Sequence, residues 1–229
     1  MSKVTDLLTE RTQRLKISPE VTPNGQAFQM FNDGGVEVEV AELLHSLIRV
    51  WKPKVVVETG THLGISSAYM AAALKEEFEQ NGSEGKLTTY EIIPPHKKSA
   101  ELLWTELGLS QFVECKLQAS LTAEVEGPID FLFLDSEPNL RFDEFVKFFP
   151  YVAEGGLIGI HDLNENLGHH GNTWHNVYDW PYGFWQDKLG DYVTDFKVQT
   201  LHVPNPRGMT FFQKTRDRDE NIRLLKEQG

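Results

Sequence analysis

The sequence predicts an α/β fold: a doubly wound, seven-stranded sheet, mostly parallel, with helices on both faces and a C-terminal antiparallel hairpin strand. Three observations predict it. Apolar runs such as Val55-Val56-Val57 and Ile129-Asp-Phe-Leu-Phe-Leu134 lack regular polar alternation, as strands buried on both faces do. These runs alternate with helical stretches, the βαβ pattern whose crossovers are right-handed. Late in the chain, strand-like runs over 191–200 and 209–213 flank Pro204-Asn-Pro-Arg-Gly208, a connection short enough only for an antiparallel hairpin.

Taken in order, residues 3–16 carry Val4, Leu7, Leu8 and Leu15 on one side of a weakly amphipathic helix. Residues 17–35 contain Pro19, Pro23, Asn24-Gly25 and Asp33-Gly34-Gly35 and read as a connecting segment, with Phe28 and Phe31 as packing groups. Val36, Val40, Leu43, Leu44, Leu47, Ile48 and Trp51 recur at helical spacing until Pro53 stops the run. The first sheet strand then begins at Val55. After it, Gly60 and Gly64 bracket a tight turn into a helix that ends near Asn81-Gly82. The second strand is 87–91, followed by a helix over 96–107 with Gly108 as its C-cap. The third strand is 112–117 and the fourth 129–134. A helix over 141–149 leads to the fifth strand, 156–160. The units are therefore an N-terminal helix and connecting segment (1–35), a main domain (36–213) and a charged, helical tail (214–229).

Composition narrows the function classes. With 229 residues and a net charge of −12, the chain lacks the clustered positive surface that nucleic-acid binding needs. Cys115 is the single cysteine, so no internal disulfide forms; its setting between Val113 and Leu117 marks a buried structural thiol. No apolar signal-peptide core and no run of membrane-spanning length is present, and a soluble, cytoplasmic protein is expected. A homo-oligomer stays open.

The chemistry collects where strands end. In open α/β sheets, ligands lie beyond the carboxyl ends of the strands. Here those ends carry Glu58, Glu91, Asp135 and His161-Asp162. Glu91 can accept two hydrogen bonds from a ribose diol, and Glu58 can hold an ammonium group near the glycine turn. Ser66 and Ser67, at the following helix start, can receive a carboxylate or phosphate. Ammonium, carboxylate and ribose together describe an amino-acid nucleoside better than a dinucleotide. The turn Thr59-Gly60-Thr61 also lacks the second glycine of Gly-x-Gly-x-x-Gly, which counts against an NAD-dependent oxidoreductase. The competing reading of the acids is that they cap helices or pair with Lys and Arg.

Val57-Glu-Thr-Gly-Thr-His-Leu-Gly-Ile-Ser-Ser67 resembles motif I of the class I S-adenosylmethionine-dependent methyltransferases, in the variant of the catechol O-methyltransferase-like and macrocin O-methyltransferase-related small-molecule enzymes. Tyr90-Glu91, Asp130-Phe-Leu-Phe-Leu-Asp135 and Tyr151-Val-Ala-Glu-Gly-Gly-Leu-Ile-Gly-Ile-His-Asp162 match the family's later segments in order and spacing. The resemblance spans roughly 36–213 and implies a Rossmann-like fold and methyl transfer from S-adenosylmethionine to a hydroxyl oxygen of a small molecule. It implies that Glu58, Gly60, Thr61, His62 and Gly64 cradle the methionine part, with Ser66 on its carboxylate. Glu91 would hold the ribose, Ile92 would lie against the adenine, and Ala119 and Ser120 would meet its edge. Asp135, His161 and Asp162 would orient or deprotonate the acceptor. Asp135 and Asp162 fall where metal-dependent members place ligands, so Mg²⁺ is a candidate.

Two departures limit the transfer. No lysine follows Asp135 in Asp135-Ser-Glu-Pro-Asn139, and the family's Asp-Asn metal pair is His161-Asp162 here. A non-catalytic binding module is therefore a further alternative. The stretch 163–190, rich in Trp and His (His169, His170, His175), is expected to be an acceptor lid, a second metal site or an ordinary surface loop.

Overall fold

The computed structural model describes residues 3–12, 15–21, 25, 27–31, 35–125, 127–163, 198–203 and 207–215. Helix α1 (Lys3–Thr12) buries Val4 and Leu8 and is followed by strands β1 (Ile17–Val21) and β2 (Ala27–Phe31). These two strands pair antiparallel where a plain connecting segment was expected. Asn24-Gly25 ahead of the apolar Phe28, Met30 and Phe31 is a hairpin signal in the sequence, obscured by Pro19, which an edge strand tolerates. Phe28 and Phe31 are buried packing groups as expected, and Phe31 meets Tyr69 edge-on.

Helix α2 (Val38–Trp51) ends at Lys52 in the left-handed conformation, directly before Pro53. The main sheet then runs β3 (Val55–Thr59), α3 (Ile65–Asn81), β4 (Lys86–Glu91), α4 (Pro94–Leu107), β5 (Val113–Leu117), β6 (Ile129–Leu134), α5 (Arg141–Phe148), β7 (Val152–His161), β8 (Val198–Val203) and β9 (Met209–Lys214). Its order is β5-β4-β3-β6-β7-β9-β8; β3 to β7 are parallel, and β9 is antiparallel to both neighbours. The seven strands and the C-terminal hairpin are thus as predicted.

Strand β7 begins four residues earlier than the apolar run suggested. Val152 already pairs with Ile129, and a register shift between Ile129 and Phe131 absorbs the Glu154-Gly155-Gly156 interruption.

Successive strand residues serve opposite faces. Phe131 and Phe133 join the core formed with α1 to α4, whereas Leu132 and Leu134 join the core around Phe145 and Phe148 of α5. Cys115 is buried, and burial pushes its thiol pKa up, as expected of a structural cysteine. Among the described residues no helix is long and apolar enough to cross a membrane. Strand order reverses between β3 and β6, so the crevice of such a sheet opens above these two strands.

Candidate active site

The turn after β3 is fixed by close packing. Gly60 has φ +82°, and a Cβ there would lie 2.3 Å from the carbonyl oxygen of Asp135, so glycine alone lets β3 and the end of β6 approach. Gly64, φ +83°, leaves room for Ala100 and Trp104 of α4, whose indole N–H donates to the Gly64 carbonyl at 3.0 Å. The turn's amides are engaged within the protein. Gly60 and Thr61 both donate to the Tyr90 carbonyl, Gly64 donates to that of Thr61, and His62 donates to Glu91. The ligand-facing amides that a glycine turn suggests are therefore already satisfied at these positions.

Glu58 is fully buried at the base of the turn. It accepts hydrogen bonds from Ser66 Oγ (2.5 Å) and Ser67 Oγ, the first residues of α3 after Ile65. Where an ammonium was expected against Glu58 and a carboxylate against Ser66, these two side chains meet each other. Burial pushes the Glu58 carboxyl up to about 7 against the lowering effect of the serine hydroxyls and Thr89. Thr61 turns its hydroxyl inward, 2.6 Å from Thr89 Oγ1.

At the end of β4, Glu91 is held by three backbone amides: His62 at 2.7 Å on one oxygen, Ile92 at 2.8 Å and Ile93 at 2.9 Å on the other. Beside it Ile92 is 65% exposed, an apolar surface unusual for an isoleucine. Ala119 is exposed and Ser120 buried. Ser120 donates to Glu144 of α5, which also accepts from Thr59 Oγ1 (2.9 Å) and Ser136 Oγ (2.6 Å). One buried carboxylate thereby ties together the end of β3 and the segments that follow β5 and β6.

The ends of β6 and β7 carry an ion network. Arg141, 3% exposed, donates through Nη2 to Asp135 Oδ1 at 3.2 Å and to Asp162 Oδ2 at 3.1 Å. Its Nε donates to the Ser136 carbonyl at 2.8 Å and its Nη1 to the His161 carbonyl. His161, 1% exposed, has Nδ1 3.0 Å from Asp135 and Nε2 2.8 Å from Glu37. Arg207 donates to Glu37 and lies 3.4 Å from Asp162 Oδ1, an oxygen without a hydrogen bond.

Burial alone would lower the His161 pKa, but Asp162, Asp135 and Glu37 raise it to about 10. Burial would raise Glu37, yet His161 and Arg207 hold it at about 2. Burial likewise opposes Asp162, which Arg207, His161 and Arg141 keep well below the ordinary carboxylate range. His161 thus turns each ring nitrogen to a carboxylate oxygen, and these carboxylates favour its protonated form, an arrangement suited to orienting Asp135.

Asp135, His161 and Asp162 bring one ligand atom each within 4.8 Å of one another, the spacing of a metal site. The donor set does not fit Mg²⁺. Both ring nitrogens of His161 are turned to carboxylates, and one oxygen of Asp135 and one of Asp162 hold the same guanidinium nitrogen. The competing reading, acids paired with arginine, holds for Asp135 and Asp162.

Sequence reasoning missed Glu37, Arg141, Glu144 and Arg207. A signal existed for Arg141: it shares the inward stripe of α5 with Phe145 and Phe148, where an unpaired charge is costly. Glu37 and Arg207 carried none, since their partners lie far away in the chain. The expected lid, with His169, His170 and His175, lies outside the described residues, as does the tail beyond 215.

Residues 57–163 match the family model of a methyltransferase domain. A protein of Mycobacterium sp. (strain KMS) with a provisional O-methyltransferase name is 29% identical over 132 residues, covering 56% of this chain and 57% of that protein. The chain thus spans little more than half the length of this relative. Two solved structures share the fold. The O-methyltransferase from Bacillus cereus in complex with S-adenosylhomocysteine has a TM-score of 0.64 at 17% identity, over 79% of this chain and 83% of that one. The S-adenosylhomocysteine-bound Podospora anserina methyltransferase PaMTH1 has a TM-score of 0.69 at 13% identity, over 94% and 89%. The chain is therefore similar to a methyltransferase domain over residues 57–163 and shares the fold of these solved structures.

Proposed function

We propose that this protein transfers the methyl group of S-adenosylmethionine to a hydroxyl oxygen of a small molecule. The observation that carries this reading is the Glu91 carboxylate, fixed by three amides at the end of β4 beside an exposed Ile92 and next to the glycine turn. With three of its roughly four acceptor sites taken by amides, the carboxylate keeps one on Oε2 for a ribose hydroxyl, and Ile92 offers a flat apolar contact for a base. The O-methyltransferase name of the mycobacterial relative, and the S-adenosylhomocysteine in the two solved structures, support the same cofactor and acceptor atom.

When bound, S-adenosylmethionine supplies an electrophilic methyl group on a positively charged sulfur. The chain's part is to bind, align and take up a hydrogen bond. Glu91 and Ile92 bind the nucleoside end, with Ala119 and Ser120 at its edge and the Glu58 to Ser66 turn at the amino-acid end. Asp135 is placed for the acceptor: its backbone packs on Gly60, its Oδ1 is anchored by His161 and Arg141, and it is half-buried. The free side of that carboxylate orients the acceptor hydroxyl through a hydrogen bond. A hydroxyl oxygen becomes strongly acidic as its bond to carbon forms, so a carboxylate suffices to receive its proton.

Titration calorimetry with S-adenosylhomocysteine and with NAD tests the reading. Binding of S-adenosylhomocysteine and not NAD is expected. Binding of NAD alone would return the chain to the oxidoreductases, and S-adenosylhomocysteine binding without turnover of any hydroxyl compound would make it a binding module.

A further inference from the structure

We infer that Arg141 occupies the cation position between Asp135 and Asp162, so that this methyltransferase site works without a divalent metal. The inference rests on the methyl-transfer reading above and adds what holds the acceptor end together. A single guanidinium nitrogen lies 3.2 Å from Asp135 Oδ1 and 3.1 Å from Asp162 Oδ2, bridging two carboxylates as a small cation would. The same side chain is locked by the Ser136 and His161 carbonyls and is 3% exposed. An arginine with this many fixed partners cannot swing aside without leaving a buried charge unpaired.

The third group of the cluster is also committed. His161 lies between Asp135 on Nδ1 and Glu37 on Nε2, and both nitrogens face carboxylate oxygens. On the far side, Arg207 lies against Asp162 and Glu37. A divalent ion entering here would meet two guanidinium groups and find Asp135 Oδ1 and Asp162 Oδ2 already bonded to Arg141, with Arg207 3.4 Å from Asp162 Oδ1. Arg141 is a positioning residue: it sets the angle between the Asp135 and Asp162 carboxylates, the task a metal performs where one is bound.

The test is Mn²⁺ binding followed by electron paramagnetic resonance on the full chain, with saturating S-adenosylhomocysteine present throughout. Wild type is expected to bind no stoichiometric Mn²⁺. The variant Arg141→Met, in which the two carboxylates lose their shared cation, is expected to bind one Mn²⁺ at least about tenfold more tightly than wild type. One tightly bound Mn²⁺ in wild type overturns the inference. So does a folded Arg141→Met protein that gains no Mn²⁺, because the position would then not be a cation position at all. Where the variant fails to bind S-adenosylhomocysteine for want of folding, the wild-type titration decides alone. Absence of S-adenosylhomocysteine binding by wild type would sink the methyl-transfer reading itself, so the two failures are distinguishable.

Discussion

Glu37 and His161 stand 124 residues apart in the chain and are joined by a 2.8 Å hydrogen bond between Glu37 Oε2 and His161 Nε2. The bond fastens the segment before α2 to the end of β7, and Arg207 fastens the same carboxylate to the β8–β9 hairpin. The ion network at the end of β7 is therefore built from three remote parts of the chain.

Glu37→Ala should cost about 3–5 kcal/mol, because it leaves the His161 imidazolium and the Arg207 guanidinium without a buried partner. Urea denaturation at pH 6 measures this. A loss below about 1 kcal/mol, the scale of exposed ion pairs, would mean the network is solvated in solution.

Glu58 gives the stability a definite pH dependence. Its folded pKa of about 7 exceeds the ordinary 4.5, so folding favours the protonated form. The stabilisation is complete below pH 4.5 and is lost as pH rises towards 7, a decline on the order of 3 kcal/mol. The stabilisation from His161 is complete below pH 6.5 and is lost as pH rises towards 10, and that from Glu37 is complete above pH 4.5 and is lost as pH falls towards 2, so neither changes between pH 4.5 and 6.5. Denaturation curves at pH 4.5 to 6.5 should fall in wild type and be flatter in Glu58→Gln. Parallel curves would refute the assignment.

Glu91→Gln replaces a carboxylate that three amides hold in place. Hydrogen bonds to a charged acceptor contribute about 1.5–3 kcal/mol, so S-adenosylhomocysteine should bind roughly ten- to hundredfold more weakly. Calorimetry reads this directly, and unchanged affinity would remove Glu91 from the cofactor site.

Gly60→Ala and Gly25→Ala form a matched pair. Both glycines have φ near +83°, but a Cβ at Gly60 meets Asp135 at 2.3 Å, whereas at Gly25 nothing lies within 4 Å. Both variants carry backbone strain of about 1–3 kcal/mol, and only Gly60→Ala adds a collision with fixed backbone. Its melting temperature should fall well below that of Gly25→Ala. Equal melting temperatures would show that the β3 turn relaxes away from β6.

Which acids close the strands was legible before any coordinates. Glu58, Glu91, Asp135 and Asp162 close successive strands, and a strand's end is a local property of sequence. What each carboxylate touches was not legible in the same way. Ser66 and Ser67 read as partners for a ligand carboxylate or phosphate, whereas the folded turn brings both hydroxyls to Glu58. The N-terminal hairpin was hidden because Pro19 and the Asn24-Gly25 pair read as a loop until β1 found β2.

Apolar periodicity, glycine positions and strand-end acids by themselves determined the seven strands, their helices and the edge of the sheet where chemistry collects. Those signals act over a few residues and survive in any one-dimensional reading. Only the tertiary structure decided that Arg141 bridges Asp135 and Asp162 and that Glu37 and Arg207 surround His161. A buried charge is tolerable only through a partner brought to it by folding, and that partner's distance along the chain is not written beside it.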